Sequence, residues 1–280
     1  MKNVLAALIL LAALGCAQGP SPEGPASDAR PAGPYLVVLG NVQDAGSPHA
    51  GCAKDCCRAL FANPDPGRMV TSLGLVDPVA GMTWLFEATP DLPRQMKLLH
   101  THAAAGSAET PDGIFLTHAH IGHYAGLMFL GREGMGAKDV PVHAMPRMLA
   151  FLGTNGPWDQ LVALGNIRPK PMREGERAAL SPNVAITPFT VPHRDEYSET
   201  VGYLIEGPER KALFIPDIDK WEVWGKDLVA ELAKVDAAFI DATFFDAAEI
   251  GGRDIREIPH PFVIETMELL EGLPGTERAK

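Results

Sequence analysis

Apolar runs bounded by Gly, Pro and Asp divide the chain into short elements from Tyr35 onward. "YLVVLG" (Tyr35–Gly40) and "MTWLFEA" (Met82–Ala88) carry β-branched and aromatic residues between turn signals and predict strands. "DLPRQMKLLHTHAAAG" has helical composition after its Pro93 start, and "GIFLT" is a short apolar run consistent with a buried strand. "YAGLMFLGREGMG" (Tyr124–Gly136) predicts a helix closing at a glycine, "VPVHA" a strand, and "MPRMLAFLG" a further helix. "VAITPFTV", "TVGYLIEG" and "KALFIPD" read as strands, the last two joined into a hairpin through "PER". "VDAAFIDATFF" adds a strand and "PFVIETMELLEGL" a late helix ending at Gly272. Strands interleaved with helices indicate α/β layering, and no repeat or internal boundary interrupts residues 35–280, which read as one domain.

The first residues follow another pattern. Lys2 precedes an apolar run from Val4 to Leu14, too short to span a bilayer but suited to the core of a signal peptide. Its ending, Ala13-Leu14-Gly15-Cys16, resembles a bacterial lipoprotein signal over residues 1–16, with Cys16 as the lipidated residue. Residues 17–34 are rich in Pro, Gly, Ala and Ser and lack periodicity, the composition of a flexible tether. The expectation is an exported protein on the periplasmic or cell-envelope face, touching the membrane only through a lipid anchor. A formal net charge of -11 argues against phosphate-backbone binding, so nucleic acid is not an expected partner.

With Cys16 set aside, the remaining cysteines all lie in "HAGCAKDCCRAL". Cys52, Cys56 and Cys57 cannot pair completely, and a vicinal Cys56–Cys57 bridge would fall far inside the usual Cα spacing. Two readings stay open: thiolate ligation of a structural zinc, completed by His49, Asp55 or a distant histidine, or one disulfide with one free thiol.

The sharpest chemistry is "LTHAHIGHYAGL". His118 and His120 alternate with Ala119, so in extended backbone they point the same way, and His123 stands at the entrance of the following helix. Imidazoles clustered at a strand-to-helix loop suit zinc, iron or manganese. His100 and His102 have the same two-residue spacing, but within a predicted helix they face apart and read as surface residues.

This stretch resembles the H-x-H-x-D-H signature of the metallo-β-lactamase superfamily, with Gly122 in the place of its aspartate. "TVPHRDE" supplies His193 and "LFIPDID" supplies Asp217, in the order of the family's next histidine and bridging carboxylate. "LFEATPD" (Leu85–Asp91) resembles the early strand whose acidic end buttresses the site. Within the superfamily the resemblance is to coenzyme PQQ synthesis protein B-like proteins and related phosphodiesterases of phosphonate metabolism, running from Tyr35 to the C-terminus. It implies an αββα sandwich and strengthens the zinc reading of Cys52, Cys56, Cys57 and His49. It also implies a last histidine on a strand after the final helix, which the residues up to Lys280 do not supply. His260, in "EIPHPF", resembles instead a histidine beside the metals that assists proton transfer.

The expected centre is one tightly held metal on His118, His120 and His193. A weak or absent second metal would use His123 and Asp217, with Asp91, Asp195 or Asp219 as substitutes for the missing acid. The implied activity is metal-assisted hydrolysis of a small molecule, with Asp217 and His260 in catalytic roles and Arg194 and Tyr197 as substrate contacts. An iron-dependent oxygenase and a non-catalytic metal-binding lipoprotein are the alternatives. No phosphate-binding glycine loop or serine elbow indicates the substrate, and oligomeric state is not legible.

Overall fold

Two sheets pack face to face with helices on both outer faces. The computed structural model describes residues 30–252, 254 and 259–280; the predicted leader, Cys16 and the predicted tether up to residue 29 lie outside the described residues. Pro31–Lys280 forms one compact unit, and among the described residues no helix is long and apolar enough to cross a membrane.

The first sheet runs in order β1 (Tyr35–Gly40), β2 (Ser72–Asp77), β3 (Met82–Phe86), β4 (Gly113–Phe115), β5 (Val140–Ala144), β6 (Ile167–Pro171). It is antiparallel from β1 to β3 and parallel from β3 to β6. The second sheet comprises β7 (Ala178–Ala179), β8 (Ala185–Thr190), β9 (Val201–Glu206), β10 (Lys211–Ile215) and β11 (Ala237–Ile240), with β11 at one edge. Its pairs are antiparallel except β10 with β11.

Strand periodicity sorts the side chains between layers. In β3, Trp84 and Phe86 enter the core between the sheets while Leu85 faces the helices. Phe86 stacks on Phe115 at 5.2 Å, and Tyr203 and Phe214 from the second sheet meet Phe86 edge-on at 5.6 and 5.7 Å. Outside the first sheet, α2 (Leu92–His100), α4 (Pro146–Thr154) and α5 (Trp158–Ala163) bury Leu92, Leu99, Met148, Leu152 and Leu161. Outside the second, Trp221, Trp224 and α6 (Leu228–Leu232) cover Leu213 and Ile215, joined by Leu270 of α7 (Val263–Leu270). The result is the expected αββα sandwich.

The structure differs from the sequence expectations in several places. The helix predicted over Tyr124–Gly136 is a single turn, α3 (Ile121–Tyr124), followed by a 3-10 segment, Ala125–Leu130. It stops because the glycine-rich stretch folds back, with Met135 N donating to Phe129 O and Ala137 N to Leu130 O. The predicted strand Met82–Ala88 ends at Phe86, since Glu87 turns to a φ of 72°. Strands β2, β6 and β7 and helices α1 (Asp55–Ala62), α5 and α6 are not among the predicted elements. His102 falls beyond the end of α2; it meets Tyr35 Oη at 3.2 Å while His100 turns to the Ala108 carbonyl, so the two do point apart.

Inside β5, His143 stacks on Phe115 at 4.5 Å, and the absence of a side chain at Gly113 gives its ring room. Burial, then the charges of Lys170 and Arg168, lowers its pKa from 6.5 to about 4. The folded state thus favours the neutral ring: this contribution to stability is complete above pH 6.5 and is lost as pH falls toward 4. Across that window the wild type is expected to lose more unfolding free energy than His143→Gln; equal losses in paired urea titrations would refute this.

Strand direction is what builds a site. β1, β3 and β4 run one way in the first sheet, and β8, β10 and β11 run together in the second. Their carboxyl ends lead to Asp44, Glu87, His118, His193, Asp217 and Asp241, at the edge where an α/β sheet presents side chains to a cleft.

Candidate metal centre

The "THAH" segment leaves β4 in extended backbone and is pinned on both sides. Tyr203 Oη donates to Leu116 O at 2.5 Å, Val201 N to Thr117 O at 3.2 Å, and Ala119 N to Ser198 Oγ at 2.8 Å. Next to it, Ala88 N donates to His123 O and Gly126 N to Ala88 O. Gly126 is glycine because a Cβ there would lie 2.0 Å from the Thr89 carbonyl oxygen. These bonds fix all three histidines of the motif before any ligand contributes.

His118, His120, His193 and Asp217 each place a ligand atom within 4.8 Å of the others. His118 Nε2 and His120 Nδ1 are 2.8 Å apart. One oxygen, Asp217 Oδ2, faces Nε2 of His118 at 3.4 Å, of His123 at 3.3 Å and of His193 at 3.5 Å. The nitrogens of His123 and His193 that face it are buried without a hydrogen-bond partner. Ligands about 2.0–2.1 Å from a tetrahedral ion stand roughly 3.3–3.4 Å from one another, so the spacing and the unpartnered nitrogens both fit a divalent cation.

The far sides of the rings are also held. His193 Nδ1 donates to Asp219 Oδ1 at 3.0 Å, His118 Nδ1 meets Thr117 Oγ1 at 2.9 Å, and His120 Nε2 approaches Glu196 at 3.4 Å. Such partners fix ring orientation and leave the opposite nitrogen for the ligand. His123 lies over Glu87, 3.7 Å from Nδ1 and beyond hydrogen-bond reach; both residues are fully buried. A second group joins Asp217 to Asp241 and His260. His260 Nδ1 donates to Asp241 Oδ2 at 2.6 Å, and the same carboxylate accepts from Ile218 N, Thr243 N and Thr243 Oγ1. The His260 ring stands 5.1 Å from that of His193.

Electrostatics divide the imidazoles. Burial, with the charge of His123, holds His118 well below the ordinary histidine value; burial, His193 and Arg194 lower His120. Burial opposes protonation of His123 as well, but Asp217 and Glu87 outweigh it and raise that ring well above 6.5. Asp217 and Asp219 likewise overcome burial at His193 and carry it up to about 9, as Asp241 raises His260. The surrounding rings, His123 first, hold the Asp217 carboxyl well below the usual range despite its burial. Without a cation, protons on His123 and His193 balance the buried carboxylate; metal binding would displace them.

The other predicted residues are placed as follows. Asp91 does not reach the site: its carboxylate accepts from Val70 N, and Glu87 is the acid under the histidines. Asp195 is exposed and pairs with Arg147. Asp219 orients His193 and is not among the clustered donors. Arg194 and Tyr197 are exposed, Tyr197 with its ring 5.5 Å from that of Phe151. Cys52, Cys56 and Cys57 are free thiols grouped within 4.8 Å of one another. The His49 ring turns to the Ala50 carbonyl and Asp55 pairs with Arg58, so the structure brings neither into the cysteine group. Sequence reasoning missed Asp241 and Glu87; an acid directly after an apolar strand was the available signal.

Residues 75–279 match the model of the beta-lactamase superfamily domain, and the chain belongs to that superfamily. It is similar to coenzyme PQQ synthesis protein B of Rhodopseudomonas palustris (strain BisB5), with 32% identity over 124 residues, 43% of this chain. The similar segment spans only 38% of that relative. The fold is that of Zn2+-bound PqqB from Methylobacterium extorquens, with TM-score 0.64 and 24% identity over 80% of this chain and 78% of that one. A diphosphatase from the PhnP family superposes with TM-score 0.60 and 21% identity, over 86% of this chain and 83% of that one.

Proposed function

We propose that this protein is a metal-dependent hydrolase of a small ester, phosphodiester or lactone-type substrate. His118, His120 and His193, with Asp217, would hold the cation, zinc before iron or manganese. The observation that carries this reading is the convergence of three imidazole nitrogens and one carboxylate oxygen within 4.8 Å at the strand ends. The zinc bound by the Methylobacterium relative and the activity named for the diphosphatase support it. A bound divalent cation supplies Lewis acidity, lowering the pKa of a coordinated water from about 15.7 toward ~7 and polarising the scissile group.

The chain's own residues do the rest. Thr117, Asp219 and Glu196 orient the three rings, and Glu87 lies beneath His123. Asp241 holds the proton on His260 Nδ1, leaving Nε2 to donate to a leaving group. Arg194, beside His120, and Tyr197 are the proposed substrate contacts. Cys52, Cys56 and Cys57 would hold a structural zinc, with a ligand other than the His49 ring completing it. We also propose export and anchoring through Cys16, supported by the sequence of residues 1–34 alone.

The test is a hydrolysis screen on zinc-loaded protein with bis(p-nitrophenyl) phosphate, aryl esters and lactones. Turnover is expected to vanish with chelator and to fall at least ~10²-fold in His118→Ala. Turnover unchanged in His118→Ala would overturn the scheme. The similarity to a PQQ synthesis protein keeps one second reading, an iron-dependent oxygenase, which oxygen consumption by iron-loaded protein would favour.

A further inference from the structure

Gly122 occupies the position of the "HAHIGH" loop where the family pattern has a carboxylate, and its backbone does not explain why. It lies in the helical turn α3, a conformation open to any residue, and its φ is not in the left-handed region. Space explains it. A Cβ at Gly122 would stand 2.6 Å from Asp44 Cβ, 2.7 Å from Asp44 O and 3.0 Å from Asp44 Oδ2. The loop after β1 thus lays a carboxylate where a side chain of residue 122 would begin. Gln43 Nε2 donates to Asp44 Oδ1, leaving Oδ2 as the oxygen against Gly122.

Two further observations point to a ligand there. His123, the residue next to Gly122, is fully buried with neither ring nitrogen hydrogen-bonded, and its Nε2 faces Asp217 Oδ2 at 3.3 Å. It also stands outside the group formed by His118, His120, His193 and Asp217. Asp44 and Asp217 line one cavity of about 430 Å³, which Thr243 also borders. Buried, unpartnered imidazole nitrogen opposite a shared carboxylate is a costly arrangement unless something binds it.

We propose that Asp44, delivered by the loop after β1, is a carboxylate ligand of a second divalent cation held with His123 and Asp217, and that residue 122 is glycine to leave it room. The missing acid of the H-x-H-x-D-H pattern is supplied from another loop. The proposal rests on the reading that the histidine cluster holds metal, and it replaces the sequence expectation of a weak or absent second ion.

Zinc is counted by elemental analysis after chelator treatment and dialysis against buffered free zinc. The proteins are the wild type, Asp44→Asn, the double variant Asp44→Gly/Gly122→Asp, and His118→Ala/Asp217→Ala, which loses a first-site imidazole and the carboxylate common to both sites, so that its remaining zinc marks the cysteine group. Asp44→Asn is expected to carry one zinc fewer than wild type, or to bind that ion roughly tenfold or more weakly. The double variant, which moves the carboxylate back onto residue 122, is expected to regain it. An Asp44→Asn count and affinity equal to wild type would overturn the proposal, as would a wild type holding a single cluster zinc at saturation. A wild-type count no higher than that of His118→Ala/Asp217→Ala would instead sink the metal-centre reading itself.

Discussion

Asp217→Asn is expected to lose hydrolysis by on the order of 10³-fold and to lower the zinc count, while keeping the side chain's shape. The size follows from the several kcal/mol that a fixed cation contributes to charge stabilisation, each ~1.4 kcal/mol being a factor of ten. The specificity follows from geometry: Asp217 Oδ2 faces three imidazoles from two separate chain segments, and among the described residues no other carboxylate oxygen is placed so. Asparagine removes the negative charge that offsets the cation, and its amide turns either a neutral oxygen or an N–H donor toward the rings. It also removes the charge that raises His123 and His193, so both rings should lose protons in the metal-free variant. Kinetics and elemental analysis on the same preparation check both parts. A variant with a full zinc complement and near-normal turnover would mean that Asp217 is a structural acid.

His260→Ala is expected to lower kcat by roughly 10²–10⁴-fold, the usual range for loss of a positioned proton donor. Its zinc count should match wild type. The reason is the division of labour at Asp241, whose Oδ2 takes the Nδ1 proton of His260 at 2.6 Å while three further donors hold the carboxylate in place. Nε2 then has a fixed direction and a ring close to His193. Asp241→Asn should reproduce part of the loss, because it removes the acceptor that sets the tautomer. The competing role for His260 is metal ligation together with Asp217 and Asp241, since these donors lie within 4.8 Å. A drop of one zinc in His260→Ala would establish that role and refute the proton-donor assignment.

Local sequence signals made some of this legible, and long-range packing hid the rest. The strands Tyr35–Gly40 and Val140–Ala144 match the runs read from sequence residue for residue, because β-branched content between turn residues is a local property. The helix predicted over Tyr124–Gly136 was misjudged, because composition does not report the fold-back that ends it at Leu130. β2 was invisible for a related reason: buried along its whole length, it alternates with nothing. At the site, His118, His120 and His123 announced themselves by spacing within six residues. The acids did not. Asp91 and Glu87 are close in sequence and both carry carboxyl groups, yet only Glu87, itself in the left-handed conformation at the end of β3, lies under His123.

The sequence by itself determined which side chains carry the chemistry: four histidines, an aspartate after an apolar strand and a cysteine group, in a family order that implies an αββα sandwich. Only the tertiary structure decided which acids join them. Asp44, Asp241 and Glu87 lie far apart along the chain and carry no spacing signal. Glu87 and Asp241 reach the histidines, and Asp44 comes against Gly122, because β1, β3 and β11 end at the same edge as β4, β8 and β10. Gly122 is the plainest case. As a letter in the motif it is a missing carboxylate; in three dimensions it is the space that Asp44 fills.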